Sequence, residues 1–286
     1  MIQNRTGLIQ NGLDPLGRRS RRLVLDTLEF ALASVDPEKL VSEYVKRRGE
    51  RLFVDRETIP LGEHRSIHVM GAGKASGAMA EAVEEILGDR LAGGLVVVPT
   101  GQRLPKLRRA RSVVASHPTP DENSVKAAKE LISLVEGLDE RDLLICLISG
   151  GGSALLSLPA EPLTIEEKGH VAKSLMNAGA TIDELNAVRK HLSQIKGGWL
   201  AKHSTAGKIL GLVISDVVGD RPDSIASGPI SPDPTTFSDA IAILKRYKLW
   251  ETVPRVAAEI LHDGAQGRIP ETPKANDPCF RKVRYH

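Results

Sequence analysis

Six consecutive apolar residues at 143–148 have the length and composition of a strand buried on both faces, as in a parallel sheet. Shorter apolar runs at 66–70, 94–98, 112–115 and 208–215 predict further strands. Between them the apolar period changes to that of a helix. Leu23, Val24, Leu28, Ala31 and Leu32 keep helical spacing within 17–33, and Asp36-Pro37 opens a second helix to about Arg48. A third helix begins at Gly71-Ala72-Gly73-Lys74 and runs to Leu87, and a fourth runs from an Asp121 N-cap to Glu136. Thr164/Glu167 and Thr181/Glu184 are capping boxes, the first for a helix to about Ala178 and the second for a helix that Gly197-Gly198 interrupts. Two more helices are predicted at 237–247 and 253–261. Alternating strands and helices predict an α/β fold: a three-layer α/β/α, doubly wound, mostly parallel sheet of Rossmann-like type with right-handed crossovers.

Three of the predicted strands end in small, polar or charged loops, which a parallel sheet gathers at one edge. The central strand runs into Ser149, Gly150, Gly151, Gly152 and Ser153. Three adjacent glycines strip the turn of Cβ atoms, so backbone N–H groups can close around an anion. Gly71 and Gly73 precede Lys74 at a helix start, where free N–H groups favour phosphate. This is neither a P-loop nor the dinucleotide fingerprint, because Ser76 stands where the third glycine belongs. Asp216 and Asp220 follow the last strong strand, and two carboxylates at a strand end suit Mg²⁺. Asn186, Arg189 and Lys190 lie three and four residues apart, on one helical face that could hold phosphate or carboxylate, with Lys196 nearby. His117 is a single histidine at a strand end.

The composition leaves this picture standing. Hydrophobic residues make up 41% of the 286 and charged ones 26%, the proportions of a globular protein, while 3% aromatic content requires an aliphatic core. The net charge of +3 comes partly from Arg18, Arg19, Arg21 and Arg22, with no stacking aromatics interleaved, so a solvated helix face is expected and no nucleic acid. Cys146 and Cys279 offer neither a disulfide framework nor metal spacing. Sparing cysteine use and the lack of a bilayer-length apolar run point to a cytoplasmic protein with no membrane partner.

Taken together, G-A-G-K-A-S (71–76), S-H-P-T-P-D (116–121), L-I-S-G-G-G-S-A-L-L (147–156), N-A-V-R-K-H-L-S-Q-I-K-G-G (186–198) and S-D-V-V-G-D…I-A-S-G-P-I-S-P-D-P-T-T (215–236) resemble the ATP-dependent glycerate 2-kinases. The resemblance implies transfer of the ATP γ-phosphoryl group to the 2-hydroxyl of D-glycerate, with Mg²⁺, and leaves a homodimer open. It casts Lys74 and Asp216 as catalytic, the two glycine loops as phosphate-binding, His117, Asn186, Arg189 and Lys190 as substrate-binding, and Asp216 with Asp220 as metal ligands. Members often carry the label hydroxypyruvate reductase, so an NAD(P)H-dependent reductase is the rival, and a non-catalytic ligand-binding fragment the third reading. The family usually has Thr where this chain has Ile230. It also continues beyond the position of His286 into a smaller domain that contributes to the cleft. The expected organisation is a polar arm at 1–16 and a large α/β domain at 17–286, lacking that second domain and impaired in turnover.

Overall fold

The computed structural model describes residues 2–286. Helices α1 (Arg5–Gln10), α2 (Pro15–Ser34) and α3 (Pro37–Tyr44) lead into an antiparallel meander of β1 (Val45–Arg48), β2 (Arg51–Val54) and β3 (Glu57–Pro60). The chain then alternates: β4 (Ile67–Ala72), α4 (Ser76–Leu87), β5 (Leu91–Pro99), β6 (Ala110–Ala115), α5 (Glu122–Glu136) and β7 (Leu143–Ser149). Four helices follow, α6 (Gly152–Leu155), α7 (Ile165–Asn177), α8 (Ile182–His191) and α9 (Trp199–His203), before β8 (Lys208–Ile214). Helices α10 (Phe237–Arg246) and α11 (Arg255–Ala265) and a short β9 (Val283–Tyr285) complete the chain.

The main sheet has the order β6-β5-β4-β7-β8-β9, and every neighbouring pair is parallel. The chain starts at β4, winds outward to β6, then returns to β7 on the other side of β4. This reversal leaves a crevice between the carboxyl ends of β4 and β7, the place where ligands bind in open α/β sheets. Both faces of the sheet are covered. Leu144, Cys146 and Ile148 of β7 join the core under α5, α6 and α9, while Leu143, Ile145 and Leu147 join the core under α4 and the meander. A third cluster, with Leu175, Val188, Leu244 and Leu261, binds α7, α8, α10 and α11 into a helical layer.

Near the N-terminus the structure departs from the pattern. Residues 5–10, within the expected arm, are helical, and α2 extends from Pro15 behind an Asp14 cap rather than from Gly17. Of α2 only Leu25 is buried; Leu23, Val24, Leu28 and Leu32, whose spacing predicted the helix, face outward. The helix expected to reach Arg48 stops at Tyr44, because Val45 starts a strand that pairs with β2 across the two-residue turn Gly49-Glu50. Charges on Lys46, Arg47 and Arg48 masked that alternation in the sequence. The Asp121, Thr164 and Thr181 caps all form, each accepting from the N3 backbone N–H.

Candidate active site

The two glycine loops at the crevice are laced together. The Lys74 backbone N–H donates to the Gly150 carbonyl at 2.9 Å, and that of Ala75 to Ser149 Oγ at 3.0 Å. The buried Ser76 hydroxyl donates to the Leu147 carbonyl at 3.0 Å and clamps the start of α4 to β7. Gly73 has φ +141°, and a Cβ there would overlap Ser149 Oγ and stand 2.7 Å from the Ser149 carbonyl oxygen. Only glycine permits this approach. Gly151, at φ +87°, has the His117 ring and the Lys74 side chain on its Cα side, where a Cβ would lie 3.0 Å from His117 Nε2 and 3.2 Å from Lys74 Cγ. The end of β6 thereby brings His117 to the same crevice. Burial, and then the Lys74 charge, hold the His117 pKa below the ordinary histidine value. A Cβ on Gly150 would likewise strike the Asp216 carboxylate, with Cγ at 2.7 Å, so Asp216 lies against this loop.

Behind Ser153 lies a second set of groups. Arg189 donates through Nη2 to Ser153 Oγ, which is also 2.7 Å from Ser227 Oγ. Ser227 donates in turn to Asn186 Oδ1 at 3.0 Å. Lys196 is 1% exposed and gives its ammonium to the carbonyls of Ser153 (2.6 Å) and Leu156 (2.7 Å) and to Ser153 Oγ (3.1 Å). The loop that presents Ser227 holds three successive residues at positive φ: Ala226 (52°), Ser227 (60°) and Gly228 (61°). Two of them are not glycine. Such a backbone costs on the order of 1–3 kcal/mol per residue and persists where the surroundings over-determine it, typically at ligand sites. Burial pulls the Arg189 guanidinium down to about 10 and the Lys196 ammonium well below its ordinary value.

The structure redistributes several of the residues singled out from the sequence. Lys74, His117, Asp216 and residues 149–153 converge, as do Asn186 and Arg189 with Ser153. Lys190 turns elsewhere: its buried ammonium lies 3.3 Å from Asp233 and 3.5 Å from Asp223, so the expected single face of Asn186, Arg189 and Lys190 is split. Asp233 is itself saturated, accepting from Thr235 N–H and Oγ1 and from Thr272 Oγ1. Asp220 lies in an exposed turn at the rim of an apolar cavity of about 500 Å³ lined by Leu40, Tyr44, Ile214 and Pro222, whereas Asp216 lies on the glycine loop. Of the two carboxylates expected to hold a metal, Asp216 is the one placed against the glycine loop. Ile230 is buried against Gly211 of β8. Sequence reasoning assigned no role to Ser227, although it lies inside the quoted I-A-S-G-P-I string, and it missed Lys168, which the acidic capping box E-E-K disguises as a solvated residue.

Among the described residues no group of three or more His, Cys, Asp or Glu side chains is arranged to hold a metal ion. A single carboxylate such as Asp216 at the loop is still compatible with Mg²⁺, which keeps several waters and takes one or two carboxylates plus phosphate oxygens. No helix among the described residues is long and apolar enough to cross a membrane.

Residues 23–262 match the family described as a domain of unknown function, DUF4147. The chain is 43% identical over 258 residues to a putative hydroxypyruvate reductase of Agrobacterium vitis, covering 90% of this chain and 54% of that protein. It is 42% identical over 234 residues to the D-glycerate 2-kinase of Thermotoga maritima, covering 80% and 56%. A crystal structure of a Pyrococcus horikoshii OT3 protein superposes with a TM-score of 0.83 at 38% identity, over 93% of this chain and 59% of that one. The chain therefore spans about half the length of the curated relatives it matches. With the match running through the parallel sheet and both glycine loops, the chain belongs to the DUF4147 family and is a homologue of glycerate kinases.

Proposed function

We propose that this chain carries the phosphoryl-transfer half-site of an ATP-dependent D-glycerate 2-kinase. The observation that carries the reading is the lacing of the Gly71–Lys74 and Gly150–Ser153 loops at the switch point between β4 and β7, with Lys74, His117 and Asp216 around them. Phosphoryl transfer needs positioning and charge neutralisation more than covalent chemistry. Backbone N–H groups of the second loop and the Lys74 ammonium would hold the phosphates. Arg189, anchored on Ser153, would orient the acid. His117, whose pKa burial and then Lys74 hold below the ordinary histidine value, is the group suited to accept the 2-hydroxyl proton. Asp216 would hold Mg²⁺ together with phosphate oxygens; the ion, when bound, neutralises charge on the transferring group.

Against a nicotinamide-dependent reductase, the place of the third fingerprint glycine is taken by Ser76, whose buried hydroxyl is committed to β7. The test is a coupled assay for 2-phosphoglycerate from D-glycerate and ATP, beside one following NADH or NADPH oxidation with hydroxypyruvate, on this chain and on the longest product of its gene. ATP-dependent product formation supports the kinase. Nicotinamide oxidation without it overturns the reading.

A further inference from the structure

Lys168 lies in the first turn of α7, four residues after the Thr164 cap. Its Nζ is buried and has no hydrogen-bond partner among the described residues. The location is unfavourable three times over. The N-terminal end of a helix repels a cation. Burial removes water from the ammonium, and Arg189 repels it; together these hold its pKa well below the ordinary lysine value. Lys196, the third cation of the group, is depressed by burial and by both neighbours. Among the described residues none of the three forms a salt bridge, although the nearby Lys190 has two carboxylates. A buried polar atom left without a partner costs about 1–3 kcal/mol, and more if charged. A fold that supplies acids for Lys190, gives Lys196 and Arg189 only neutral acceptors and leaves Lys168 bare lacks an anion at this point.

We infer that Lys168, Arg189 and Lys196 form the subsite that takes the carboxylate of a small 2-hydroxy acid, with Lys168 setting its preference for an acid over a neutral polyol. This rests on the reading of the crevice as a phosphoryl-transfer site and adds the residues that choose the acceptor. The donors divide the work. Lys196 spends its three protons on Ser153 and Leu156 and so fixes the loop. Arg189 uses one Nη on Ser153 and is only partly buried, which leaves N–H groups for the two oxygens of a carboxylate. Lys168 has all its protons free. One carboxylate would satisfy both and compensate the surplus charge, while the phosphates lie across Ser153 on the Lys74 side. Lys190, paired with Asp233 and Asp223, is a scaffold for this subsite.

The experiment compares wild-type chain with Lys168→Met and Arg189→Gln by calorimetric titration and thermal melting, using D-glycerate, D-lactate, glycerol and ATP as separate probes. The wild type should bind both acids and not glycerol. Lys168→Met should weaken acid binding at least tenfold with ATP binding unchanged, and its ligand-free melting temperature should hold or rise, because an unpaired buried amine is gone. A purely structural lysine would instead lower that melting temperature and spare acid affinity. Equal acid binding by wild type and Lys168→Met, or glycerol binding as tight as D-glycerate, overturns the inference and leaves the kinase reading intact. Acid binding that depends on Lys168 in a protein indifferent to ATP upholds the subsite and strikes the kinase reading. If Lys168→Met fails to fold, Arg189→Gln decides by the same acid-against-ATP comparison.

Discussion

Replacing Gly73 by alanine tests whether the contact between the two glycine loops is as tight as the structure requires. The new Cβ would overlap Ser149 Oγ and stand 2.7 Å from the Ser149 carbonyl oxygen, an atom of the central strand β7 that cannot swing aside. At φ +141° the backbone itself is unfavourable for any residue with a Cβ, by on the order of 1–3 kcal/mol. Forcing the strand and loop apart adds about 1–3 kcal/mol. Losing the Ala75 N–H bond to Ser149 Oγ adds about 1 kcal/mol. The expected loss is therefore about 3–7 kcal/mol, a large part of the ~5–15 kcal/mol typical of a native protein. Gly101→Ala is the control, since Gly101 also has positive φ (+84°) but nothing within 4 Å of its Cβ position. It should lose only about 1–2 kcal/mol. Equilibrium urea unfolding measures both, and ATP titration reports on the loop. Equal losses for the two variants, with ATP binding preserved in Gly73→Ala, would refute the claim that this approach builds the site.

Three further outcomes are expected. Lys74→Ala should lower turnover in any active form of the protein by about two to three orders of magnitude with an unchanged melt, because a charge aimed at the transferring group acts chiefly in the transition state; near-normal turnover would remove Lys74 from the mechanism. Asp216→Asn should raise the Mg²⁺ concentration needed for half-maximal activity, whereas Asp220→Asn, at the rim of the apolar cavity, should leave it unchanged; the reverse pattern would reassign the metal. Glu271 is raised by burial but lowered further by His191 and by the N–H groups of Phe237 and Thr272, to about 2. A carboxyl depressed in the folded state contributes its stability fully above its ordinary 4.5 and loses it as pH falls toward 2. At 35% exposure the effect is screened to about 1 kcal/mol, so Glu271→Gln should lower the melting temperature at pH 7 by the equivalent of that amount, and the difference from wild type should vanish as pH falls toward 2.

What the chain could reveal by itself was whatever local rules dictate. The period of apolar residues disclosed β7 and its flanking helices, since a strand buried on both faces must be continuously apolar. Thr164, Thr181 and Asp121 marked helix starts because a cap is satisfied within three residues. The glycine loops were legible as anion-binding candidates because absent Cβ atoms are a property of sequence. The meander was not, since charged residues cover its alternation. Strand order, and with it the crevice between β4 and β7, depends on pairings between residues some 75 positions apart, such as Met70 with Cys146, that no local pattern encodes. The tertiary structure alone decided which cations are paired. Lys168, Lys190 and Lys196 look alike in sequence; folding gives Lys190 two carboxylates, Lys196 two carbonyls, and Lys168 no partner among the described residues. Burial and partners, the quantities that turn a surface charge into a binding group, arise only when distant segments meet.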